Sequence, residues 1–175
     1  MQMVHGESFP PGDRRTEEGL NAEAERMQEF EFQLVTVSHA FQRWALQCMG
    51  ACGIKELNIT DILVLHHVNH RARGKKLADI GFILNLEDTY VASYSLKKLQ
   101  NLGLVRAERR GKETLYSTTD RGHALCGRYR DMRERLLVLE IGNTGVHGHD
   151  LSAIAQFLRV LSGMYDQAAR AATTM

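Results

Sequence analysis

Residues 77–119 read LADIGFILNLEDTYVASYSLKKLQNLGLVRAERRGKETLYSTT, and the order of signals in this stretch is informative. Residues 77–84 form a short helical pattern, and Asn85-Leu86-Glu87 is a three-residue turn. Asp88 is an N-cap for a helix over 89–102, and Gly103 stands where a C-terminal glycine is expected. At helical spacing Ala92, Ser95, Leu96 and Leu99 share one face. Tyr90, Tyr94, Lys97 and Lys98 fall on the opposite side, with Ser93 beside them. Residues 104–109 have strand character, Arg110-Gly111-Lys112 is a glycine-bearing turn, and residues 113–118 return as a second strand. A helix, a turn, a second helix and a hairpin in that order predict a winged helix-turn-helix.

That arrangement suits duplex DNA for a physical reason. An exposed polar helix fits a major groove about 12 Å wide and points donors and acceptors at base edges. A cationic hairpin beside it reaches phosphates or the minor groove. The candidate contacts on the helix are Thr89, Tyr90, Ser93, Tyr94, Lys97 and Lys98. Those on the wing are Arg106, Arg109, Arg110 and Lys112, and Lys75 and Lys76 precede the motif.

The flanks are helical. Thr119 caps a helix that starts at Asp120, along which Leu125, Tyr129, Met132, Leu136 and Leu139 step by threes and fours. A loop over 142–148 leads to a last helix carrying Leu151, Ile154, Leu158, Leu161 and Tyr165. Upstream, Asn58 with Asp61 marks the start of a helix running to about His70. Residues 17–52 form one long helix whose seam is Phe30, Leu34, Val37, Phe41, Trp44, Cys48 and Ala51, with Gly53 as its stop. Both prolines, Pro10 and Pro11, lie in a polar arm over residues 1–16. The expected organisation is that arm, an N-terminal dimerisation helix over 17–57, a winged helix over 58–119 and C-terminal dimerisation helices over 120–175. The fold class is mainly α with one small β-hairpin.

The 175 residues carry a formal net charge of only +1, but charge is segregated. Residues 97–112 hold six basic side chains against Glu108, while residues 7–31 hold eight acids against three bases. A local basic patch matters more to DNA than the average does. No apolar run approaches the roughly 18–20 residues needed to span a bilayer, and no signal-type segment is read. Neither a nucleophile elbow nor a phosphate-binding glycine loop is present, so an enzyme is not expected.

The stretches Leu77-Ala78-Asp79-Ile80, residues 96–105 (LKKLQNLGLV) and residues 116–122 (YSTTDRG) together resemble the MarR family of winged-helix regulators. The resemblance covers about residues 25–170. It implies a bacterial cytoplasmic homodimer that binds a pseudo-palindromic operator as a repressor, with recognition helices about 34–36 Å apart. On that reading Phe30, Leu34, Leu136, Leu139, Ile154, Leu158 and Leu161 belong to the dimer. A small aromatic ligand would sit in a crevice lined by His39, Phe41, Arg43, Trp44 and Cys48. No cofactor is implied. Family wings commonly carry an acid that orients an arginine; here the wing is shorter, and Glu113 is the candidate orienting acid for Arg110.

Three further features have bland readings beside sharp ones. His66 and His70 are spaced to share a metal, yet no third ligand stands nearby, so no metal is expected. Cys48, Cys52 and Cys126 are candidates for a thiol sensor on the same scaffold, against the commoner role of apolar filler. Near-neutral total charge also admits a winged helix that binds protein rather than DNA.

Overall fold

The computed structural model describes residues 17–174; the expected N-terminal arm lies outside the described residues. The chain divides into two compact units, Met1–Ala45 and Leu46–Met175. The first unit is described as helix, the leading part of α1 (Glu17–Ala51). Phe30 and Leu34 are half-buried there, whereas Phe32, Val35, Val37 and Phe41 are exposed. Gln33 donates to Glu29 and Gln42 to Ser38, one turn apart along the helix surface.

The second unit begins with the last turn of α1. Cys52, Gly53 and Ile54 donate to the carbonyls of Cys48, Gly50 and Met49, and Gly53 takes φ +100°, which a side chain would resist. Helix α2 (Ile59–Asn69) opens with a reciprocal cap: Asn58 Oδ1 accepts from Asp61 N at 2.8 Å, and Asp61 Oδ2 from Asn58 N at 3.0 Å. A single 3-10 turn (His70–Ala72) follows, and within it Arg71 adopts φ 61°.

Helix α3 (Leu77–Ile83) and helix α4 (Thr89–Asn101) come next. Strand β1 (Val105–Arg110) pairs antiparallel with β2 (Glu113–Thr118), with Arg110 opposite Glu113 and Val105 opposite Thr118. Only Gly111 and Lys112 form the turn, with Gly111 at φ +63°. Residue 75 adds a short third edge: the Lys75 N–H and carbonyl both bond Tyr116 at 2.8 Å. The sequence shows no signal for this bridge, because its partner lies far along the chain.

Helix α5 (Asp120–Arg133) continues through a π turn (Glu134–Val138) into the short α6 (Leu139–Gly142). Helix α7 (Gly148–Ala172) ends the chain's regular structure. The core of this unit is Met49 with Ile62, Leu65 and Val68 of α2, Ile80 of α3, Leu96 and Leu99 of α4, Leu104, and Leu125 of α5. Gly122 sits so close to the chain before β1 that an added Cβ would lie 2.0 Å from the Leu104 carbonyl oxygen.

Candidate nucleic-acid interface

Helix α4 starts where Asp88 Oδ1 accepts from Tyr90 N at 2.7 Å, satisfying one free N–H of the first turn. Ala92, Ser95, Leu96 and Leu99 face inward and are buried. Tyr90 is 81% exposed and Tyr94 70%, so two phenol rings stand in solvent where burial would ordinarily be favoured. Thr89, Ser93 and Lys97 are exposed as well. Every side chain expected to project from this surface does so, with one exception.

The exception is Lys98. Its ammonium lies 2.6 Å from Asp61 Oδ2, a carboxylate with no solvent exposure. Lys98 therefore fastens α4 to the start of α2 rather than reaching outward. Lys97, one residue earlier, forms no ion pair among the described residues.

The wing presents Arg106, Arg109, Arg110 and Lys112 as exposed side chains. Arg106 Nε donates to Ser117 Oγ at 3.2 Å and Arg109 Nε to the Gly111 carbonyl at 3.4 Å. Arg110 forks onto Glu108 at 2.9 and 3.2 Å. That pairing holds the Glu108 carboxyl below the ordinary carboxylate value and raises Arg110 above its own. The acid beside Arg110 is thus Glu108, two residues along the same strand. Glu113, expected in that role, instead meets Lys76 at 2.5 Å, and this bond with its charge raises the Lys76 ammonium.

Lys75 differs from its neighbours too. The residue as a whole is 6% exposed, so its stem is covered and only its charged end reaches solvent.

The remaining candidate residues separate. His39, Phe41 and Arg43 are exposed, Trp44 is half-buried and Cys48 is buried. Cys48, Cys52 and Cys126 are free thiols and all buried. Burial, with Cys52 adding to it, pushes Cys48 up to about 11; burial does the same for Cys126. Cys48 and Cys126, so placed, hold little thiolate at neutral pH and are poor nucleophiles. His66 packs edge-on to Tyr129 with ring centroids 4.4 Å apart, and no group able to hold a metal ion occurs among the described residues. No helix among them is long and apolar enough to cross a membrane.

Residues 57–122 match the family model of a winged helix DNA-binding domain. Among solved structures, a MarR family regulator from Neisseria meningitidis superposes with a TM-score of 0.66 at 16% identity, covering 82% of this chain and 95% of that one. This chain has the winged-helix fold of the MarR family regulators. Staphylococcus aureus MarR in complex with salicylate and kanamycin gives a TM-score of 0.64 at 14% identity, over 82% of this chain and 94% of that one. A mutant MarR from E. coli, complexed with operator DNA, gives 0.61 at 14% identity, over 78% and 95%. None of the curated proteins compared matches the chain. Within this MarR-type frame, α3 and α4 are the helix-turn-helix and the hairpin is the wing.

Proposed function

We propose that the chain is a sequence-specific, duplex-DNA-binding transcription regulator that works as a homodimer, with its DNA affinity lowered by a small ligand. The observation that carries this reading is the exposed row Thr89, Tyr90, Ser93, Tyr94 and Lys97 on a helix whose other face is core, beside a cationic two-residue turn. The hydroxyls and rings of these solvated tyrosines suit base edges and thymine methyls. The operator complex of the E. coli relative supports the DNA partner, and the salicylate complex of the S. aureus relative supports a ligand.

The homodimer rests on apolar side chains that one chain leaves in solvent: Leu136, Leu139, Ile154 and Leu158 are exposed, while Leu161 is already buried within the chain. A repressor follows if the bound dimer occludes a promoter. The ligand would act by favouring a dimer whose two α4 helices no longer match successive grooves.

A gel-shift assay on the DNA upstream of the chain's own coding region tests this reading at several salt concentrations. The expected result is a preferred site bound with an affinity that falls steeply as salt rises. Binding that ignores sequence, or no binding at low salt, overturns it.

A further inference from the structure

Tyr90 and Tyr94 stand four residues apart on α4, about 40° apart around its axis, and so lie on one line along the helix. Both phenol rings are exposed, flanked by the exposed Thr89 and Ser93. The rotation of α4 that aims them outward is fixed from behind, because Ala92, Ser95 and Leu96 are buried. Its start is fixed by the Asp88 cap on the Tyr90 N–H. Residues 89–96 contain no cation and no side-chain amide. Lys98 is held by Asp61, so Lys97 on the third turn is the lysine of α4 that remains outward.

This composition restricts what the first two turns can read. In the major groove guanine is met by Arg or Lys and adenine by Asn or Gln, and residues 89–96 have none of these. An apolar contact with the C5-methyl group of thymine is open to a ring, and hydroxyls beside it can donate or accept. Stacking on bases is closed, since an intact duplex offers the groove only base edges and methyl groups. A tyrosine has two side-chain torsions, so seating it costs little conformational entropy. The spacing also fits. Four helical residues rise about 6 Å, close to two base steps of about 3.4 Å each.

We propose that Tyr90 and Tyr94 set the sequence preference by laying their rings on two pyrimidine C5-methyl groups, about two base pairs apart in each half-site. Thymine carries that group, and 5-methylcytosine carries it at the same place; unmodified cytosine does not. This assignment rests on the regulator reading and narrows it, because the methyl group and not the hydrogen-bonding edge becomes what the two rings recognise.

The test begins with a preferred duplex selected by the full chain from a pool with about 30 random base pairs, room for two half-sites one turn apart. Each thymine is then replaced singly by deoxyuridine, which removes the methyl and keeps the pairing. Uracil at two positions per half-site, about two base pairs apart, should weaken binding about fourfold each. Tyr90→Ala and Tyr94→Ala should each abolish the loss at one of those positions and leave the other. Tyr90→Phe and Tyr94→Phe should keep both losses. Cytosine at a sensitive position should bind poorly, and 5-methylcytosine there should recover several-fold. A preferred site that tolerates uracil throughout overturns the proposal and leaves the regulator reading intact. So do losses that persist in both alanine variants, or 5-methylcytosine that binds no better than cytosine. A uniform loss over all sequences in the phenylalanine variants would put the hydroxyls on phosphates and would overturn it too. A pool that yields no preferred sequence overturns the regulator reading and this assignment together. The uracil series uses the wild-type chain, so it decides even if a variant fails to fold.

Discussion

Lys98 of α4 is a poor candidate for a DNA contact because a buried carboxylate already holds it. Asp61 Oδ2 accepts both Lys98 Nζ and the Asn58 N–H, while Asp61 Oδ1 is buried without a partner. Removing the ammonium leaves a charge in the core, which costs far more than a surface pair is worth. Lys98→Met should therefore lower unfolding stability by about 3 kcal/mol in urea denaturation. A loss confined to DNA affinity would place Lys98 back at the interface. Gly122 makes a similar argument with sterics. A methyl there meets a backbone carbonyl that also accepts the Thr119 N–H at 3.0 Å, so neither side can yield cheaply. Gly122→Ala should cost about 2–3 kcal/mol in the same assay, and a neutral result would show that β1 can shift. His66 concerns pH. Burial first, and the nearby Arg133 second, lower its pKa below the ordinary histidine value, and its Nε2 is buried without a partner. The folded state thus binds the proton less well than the unfolded state. Its stabilising contribution is complete above the unfolded value of about 6.5 and is lost as pH falls below it toward the folded pKa. His66→Phe, similar in ring size, should flatten the fall in stability between about pH 7 and pH 5. An identical slope in the variant would remove His66 from the account.

At the level of elements, the proposed DNA reading divides the work between α4 and the wing. Ser93 and Tyr94 can read base edges, so alanine at either should narrow the gap between the best site and its single-base variants by about 1–3 kcal/mol without changing the salt slope. Glu108 offers a test in the opposite direction, because it neutralises Arg110 on the wing. Glu108→Gln should strengthen binding to every duplex and steepen the salt dependence by about one counterion. An unchanged slope would show that the wing does not approach phosphates. These elements were readable in the sequence because their signals are local. Asn58, Asp88 and Thr119 cap helices within a turn of themselves, and the inward face of α4 follows from spacing alone. The pairings of the lysines depend on distant partners: Lys98 on Asp61, Lys76 on Glu113 and Lys75 on the Tyr116 backbone. Spacing along one helix carries no information about those pairs. The π turn after α5 has no residue that announces it either.

For the whole molecule, the question is what covers the long helices. On α7 alone, Leu151, Ile154, Phe157, Leu158, Val160 and Met164 are exposed, more apolar surface than a single helix ordinarily shows to water. A second copy related by a two-fold axis would present the same row and cover both at once. Ile154→Glu with Leu158→Glu places charges in that seam. The expected outcome in sedimentation is a particle of half the wild-type mass that keeps its helical circular dichroism. Unchanged mass would show that α7 is not in the interface. The consequence for DNA is geometric. Two α4 helices on one rigid dimer can only meet half-sites that face the same side of the duplex, about one helical turn apart. Inserting about five base pairs between the half-sites turns one of them to the far side. Wild-type binding should then collapse toward the affinity of a single half-site, while the Ile154→Glu, Leu158→Glu chain, which already engages half-sites singly, should not notice the insertion. Equal losses in both proteins would mean that the two halves never act together.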